Sequence, residues 1–274
     1  MLLRQWAYFA SEDLWYELLE NSGPEKPEWL SALTKNKLIF HASLRLLCSH
    51  GLVEADPATI LQRVESRGYS VHGCVHSWMI YVLNQGLENS MAWISVKCVA
   101  ARVPGNDEQE FWLLQRRLIA HADRCLETIK YIEINGEAAG ALHSLGFLYA
   151  HQGRLQEAEA MYERALEGYE AAFGATSTFT YIPALSTLEN FGLLCERNGQ
   201  IDTALLYYQR ALVGTEAVWG QYGERYFRLS TKLSSFERDT LEVVEREEPV
   251  QMKTNRRVKW KKLGAKLSGM YKPK

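Results

Sequence analysis

One segment of this chain repeats another. GFLYAHQGRLQEAEAMYERALEGYEAAFG (146–174) lies over GLLCERNGQIDTALLYYQRALVGTEAVWG (192–220) with no gap. Gly146/Gly192, Gly153/Gly199, Ala158/Ala204, Tyr162/Tyr208, Ala165/Ala211 and Gly174/Gly220 all stand 46 residues apart, and Leu142/Leu188 and Leu145/Phe191 carry the register upstream. A repeat this short cannot bury its apolar side alone and must stack on a copy of itself. The apolar positions return at helical spacing, and the glycines interrupt them where a helix must end and the chain turn back. The pattern therefore predicts helices joined by tight turns.

That arrangement of small and large residues resembles the tetratricopeptide repeat, a pair of antiparallel helices. The resemblance implies that Gly146 and Ala158 are small where the two helices nearly touch, Gly153 permits the turn between them, Tyr162 fills the space between units, and Ala165 admits the next unit. A basic unit is about 34 residues; here a second helix from Leu155 to Phe173 and the link GATSTFTYIP lengthen it, as in the kinesin-light-chain-type variant common in fungal repeat arrays. The resemblance implies a right-handed α-solenoid over 136–245. Its last element is expected to be a degenerate capping helix, beginning near Tyr222 and running to about Glu245. Upstream, 87–135 reads as a helical spacer of two helices. MAWISVKCVAARV ends at Pro104-Gly105, and Asp107 offers an N-cap to DEQEFWLLQRRLIAHADRCLETIKYIE.

Residues 1–86 differ in texture. SEDLWYELLE reads as a short helix capped by Ser11. PEWLSALT is a second helix, entered through Pro27, and KNKLIFHASLRLLCSHG a third, stopped by Gly51. LVEAD and GYSVHG read as two short strands around the loop ATILQRVESR, and the helix CVHSWMIYVLNQ follows. Three helices and a hairpin make a winged-helix-like unit, so the fold class is mainly α. The order of winged helix, spacer and repeats resembles the C-terminal half of fungal NOD-like receptors, ATPases with NB-ARC or NACHT cores. In those cores the wing ends in Met-His-Asp, whose His reads the phosphates of ADP. Here Val71-His72-Gly73 stands in that place, so the resemblance makes His72 a nucleotide-sensing remnant.

No G-x-x-x-x-G-K-[ST] occurs, and without it no backbone cradle or lysine meets the phosphates. The expectation is a truncated receptor-like protein, or one working through its repeats alone, with no bound nucleotide and no cofactor. Metal is not expected either. His72, Cys74 and His76 diverge if one closes a strand and another opens a helix, and His121 and Cys125 share a face suited to core packing. Nor is catalysis, since G-x-S-x-G is absent and Cys98, Cys125 and Cys195 fall on apolar helix faces.

Binding is the expected function. The first helix of each repeat lines the concave groove in the family, so the resemblance places peptide recognition at His143, Ser144, Phe147 and His151 and at Glu189, Asn190, Leu193 and Arg197. Asn190 stands where the family uses Asn to hold a ligand's backbone; Ser144 departs from that. The paired lysines that capture a terminal carboxylate have no match.

Charge is unevenly spread. Nine of the 31 basic residues lie in 253–274, where no acid occurs, so residues 1–252 hold 22 basic against 33 acidic residues, a formal −11. The basic segment, 246–274, reads as a disordered tail able to contact an anionic surface or to serve nuclear localisation through RRVKWKK. Five cysteines without Cys-x-x-Cys and no run of about 18 apolar residues suit a cytoplasmic or nuclear location with no integral membrane contact. A stand-alone adaptor localised by that tail is the alternative reading. A winged-helix nucleic-acid binder is a third, opposed by the acidic body.

Overall fold

The computed structural model describes residues 1–20, 26–57, 65–86, 88–105, 108–130 and 135–247. Asp107, most of the loop 58–67 and the basic segment 253–274 lie outside them. The chain divides into two units, Met1–Tyr207 and Tyr208–Lys274. It is mainly α, with a small N-terminal portion that adds a two-stranded sheet.

The repeat helices follow the internal register. Helix α8 (Gly136–His151) is capped by Asn135, whose side chain accepts from Ala138 N–H, and it packs along α9 (Leu155–Thr178). Helix α10 (Ile182–Arg197) lies on α9, and α11 (Ile201–Trp219) follows. Gly153, Gly174, Gly199 and Gly220 all sit at φ between 74° and 76°, left-handed conformations that other residues adopt only at a cost. Ala158, Ala165 and Ala204 are completely buried. A Cβ on Gly146 would come within 2.8 Å of the Tyr162 ring, so glycine sets how closely α8 and α9 approach. The link after Phe173 holds more structure than expected. The chain kinks at Gly174, then makes one further helical turn to Thr178, whose hydroxyl donates to Gly174 O at 2.9 Å.

Upstream, α6 (Asn89–Arg102) packs on both α7 (Phe111–Ile129) and α8. Helix α7 begins later than expected. Glu110 adopts a left-handed φ of 55° and the helix starts at Phe111, because residues 108–110 form a turn after Pro104-Gly105.

The N-terminal portion holds α1 (Leu2–Trp6), α2 (Tyr16–Glu20), α3 (Glu28–Leu33), α4 (Lys37–Ser49), β1 (Glu54–Ala55), β2 (Tyr69–Ser70) and α5 (Gly73–Trp78). The two strands pair antiparallel, with Ala55 opposite Tyr69. Ser11 is not a helix cap. Residues 11–15 pass beside β2 as an irregular segment, with Asp13 left-handed: Leu14 and Tyr69 exchange backbone hydrogen bonds of 2.9 Å, and Ser11 O accepts from Val71 N–H at 2.7 Å. A helix there would orphan those strand groups. After Trp78 the expected α-helix loosens to a π-helical turn, Met79–Leu83. Trp6, Phe9, Trp15, Leu18 and Phe40 form the core of this portion. Gln5 fastens it to α6, donating to Met91 O at 2.8 Å and Ser95 Oγ at 2.7 Å.

In the second unit, α12 (Glu224–Glu247) buries Leu229 and Leu233, and Phe236 stacks near Tyr208 at 6.3 Å between ring centres.

Candidate functional site

The residues singled out on the first helices of the repeats fall into two groups. His143 and Thr187 bridge α8 and α10, with 2.8 Å between Nδ1 and Oγ1, while the His143 ring lies 5.8 Å from that of Tyr162. Burial pulls the His143 pKa down to about 4, so the imidazole is neutral and structural at ordinary pH. Ser144 turns back on its own helix, toward Gly140 O at 3.4 Å.

The second group is more open. The Phe147 ring lies 4.2 Å from that of His151, and Phe111 from α7 meets His151 at 5.9 Å, nearly edge-on. Burial also lowers the His151 pKa, with Arg197 adding in the same direction. Arg197 Nη1 donates to Ala150 O at 3.1 Å, satisfying a carbonyl in the last turn of α8. The rest of the Arg197 side chain is exposed, and Leu193, one turn earlier, leaves 45% of its surface to solvent. Glu189 and Asn190 are half-buried on the same helix.

Three aromatic contributors were not singled out from sequence. Phe111 and Trp112 open α7, their rings 5.5 Å apart, and Trp112 is 56% exposed. On α6, Lys97 lies over the Trp93 ring at 5.7 Å and pairs with Glu137 of α8 at 3.6 Å. Their signal in the sequence was an aromatic pair at a helix start and a Trp four residues before a Lys, too common to separate from core packing.

His72 is exposed and spends its Nδ1 accepting from Cys74 N–H, at 3.3 Å, as the N-cap of α5. His76 points elsewhere, with Nε2 3.0 Å from Phe9 O. Among the described residues no three His, Cys, Asp or Glu side chains are gathered to hold a metal ion. His121 and Cys125 are both fully buried in α7. Among the described residues no helix is long and apolar enough to cross a membrane.

Residues 137–214 match the family model of the tetratricopeptide repeat. No curated protein matches the chain. Tetratricopeptide repeats are protein–protein interaction modules, and the matched stretch carries α8, α9, α10 and most of α11.

Proposed function

We propose that this protein is a non-enzymatic interaction module that binds a peptide or protein segment along the faces of α8 and α10, and that it resembles the sensor half of a NOD-like receptor. The observation that carries the binding reading is the open group on the matched repeats. Leu193 and Arg197 stand exposed on α10, which Arg197 ties to the end of α8 that carries the Phe147–His151 stack, so apolar surface and a cation lie close together. Aromatic side chains and arginine are enriched at protein interfaces. His143 and Ser144 act on the scaffold, one bridging to α10 and the other bonding within α8.

The receptor resemblance draws support from the element order: helices α2 to α4, the two-stranded sheet and α5, then the α6–α7 pair and the repeats. Nucleotide sensing is not part of the proposal. The chain has no phosphate loop, and His72 is engaged as a helix cap. The kinesin-light-chain-like adaptor reading shares the same binding face and adds the basic segment 253–274 as a localising element, cytoplasmic or nuclear.

A photo-crosslinking residue at Leu193, compared with one at Glu163 on the exposed side of α9, tests the binding face. Capture of a partner segment from Leu193 and not from Glu163 is expected. Equal capture from both positions overturns the assignment of the face. Calorimetry with ADP tests the absence of nucleotide sensing: no heat of binding is expected, with or without His72→Ala.

A further inference from the structure

Among the described residues, helix α4 has a second, unpartnered face. It buries Phe40 and Leu44 against the N-terminal core, yet leaves Leu38 72% and Leu46 60% exposed. Together with exposed Ala42, these residues stand at i, i+4 and i+8, a single line about 12 Å long on one side of the helix. Ile39, 37% exposed, widens the line.

The charge beside this line is of one sign. Residues 1–252 are strongly acidic, but from Trp29 to Val53 the chain carries Lys35, Lys37 and Arg45 and no acid. Glu17 takes Lys37 at 2.5 Å. Lys35 and Arg45 are exposed, one before the helix and one a single position ahead of Leu46.

We propose that this face of α4 docks an acidic amphipathic helix of a partner protein. Its apolar seam would lie on Leu38, Ala42 and Leu46, with its carboxylates over Lys35 and Arg45. The backbone groups of α4 are paired within the helix, so the face offers no ladder for an added strand; a second helix can use the ridge of side chains. Two cations around a leucine line suit spaced carboxylates better than a nucleic-acid backbone, which demands a dense array of positive charge.

The test uses the full chain and a labelled helical peptide with leucines at heptad positions a and d and glutamates at e and g, followed by fluorescence anisotropy. Because 253–274 also attracts acids, the decision rests on variants in the strip. Leu38→Asn with Leu46→Asn should lower affinity at least about tenfold, and Arg45→Gln a few-fold with a weaker salt dependence, while thermal melting stays that of the parent. Unchanged affinity in the double variant overturns the proposal, as does an absence of binding by the parent at millimolar peptide. Mixed phosphatidylcholine–phosphatidylserine vesicles form the second arm. Vesicle binding that the double variant abolishes, without peptide binding, overturns it in favour of a membrane surface.

Discussion

Arg117 grips Asp13 with two parallel donors, Nε and Nη2, at 2.8 and 2.7 Å from the carboxylate oxygens, across 104 residues of sequence. Asp13 is held at a left-handed φ of 55° to receive them. The same guanidinium donates to Ser66 O at 2.9 Å and lies 4.1 Å from the centre of the Trp15 ring. One buried side chain on α7 thus ties together the segment before α2 and the chain entering β2.

Arg117→Ala should destabilise the protein by about 3 kcal/mol, the lower end for breaking a buried pair, because the Asp13 carboxylate keeps some contact with water. Arg117→Lys should recover little, since an ammonium cannot reproduce the fork or the stacking. Urea unfolding of the three proteins, followed by tryptophan fluorescence, measures this. Parent-like stability of the lysine variant would reduce the contact to a simple charge.

His121 links the same segments and makes stability depend on pH. Ala10 N–H donates to its Nδ1 at 3.2 Å, so the proton sits on Nε2 and goes to Asp13 O at 3.0 Å. Full burial lowers its pKa from 6.5 to about 4. The folded state therefore refuses a proton that the unfolded state accepts. The stabilisation is complete above pH 6.5 and is lost as pH falls toward 4. By pH 5 the loss from this group alone should be on the order of 2 kcal/mol. His121→Gln should lower stability at pH 7.5 but flatten the decline between pH 6.5 and 4. A decline as steep as the parent's would assign the acid sensitivity to other groups.

Asp56 works in the opposite direction. It faces Asp13 across Gly68, where an added Cβ would meet oxygens of both carboxylates, and Ser70 Oγ donates to its Oδ1. Burial, with Asp13 and Glu12 adding, raises its pKa, while the Ser70 bond and Arg117 oppose the rise. The ionised form therefore weakens the fold as pH rises past the normal carboxylate range. Asp56→Asn keeps the Ser70 bond and removes the repulsion, so the melting temperature at pH 7 should rise by about 2–4 °C. The gain should shrink toward pH 4. A lower melting temperature at pH 7 would mean that Asp56 is needed as a charge.

The repeat register is tested at its tightest contacts. Gly146→Ala would press a methyl against the Tyr162 ring at 2.8 Å and near Met161 Cβ at 3.3 Å, and Ala158→Leu would overfill a completely buried site. Each should cost about 1–3 kcal/mol in thermal or urea unfolding. Gly140→Ala, whose new methyl meets only the Tyr169 hydroxyl at 3.7 Å, should be neutral or slightly stabilising. Equal effects at positions 140 and 146 would break the register.

The open group on α8 and α10 was partly legible. Phe147, His151, Leu193 and Arg197 were reached through the resemblance to the tetratricopeptide repeat, whose first helices line the groove, and each pair stands four residues apart on one helix face. Phe111 and Thr187 were not, because their meetings with His151 and His143 depend on how neighbouring helices are placed.

The sequence by itself determined the helix pairs, their 46-residue period and their turns, because each is written in local terms. Helical spacing places the apolar face, glycine alone enters the left-handed turns at 153, 199 and 220 without cost, and alanine marks the close crossings. Only the tertiary structure decided the segment before α2. SEDLW has the cap and composition of a helix start, yet it stays irregular, because β2 satisfies its backbone and Arg117 and His121 hold it from a hundred residues away. Partners so distant leave no period in the sequence. Local preferences are worth a few tenths of a kcal/mol to about one per residue, and backbone and side-chain hydrogen bonds whose loss would leave buried groups unpaired outweigh them.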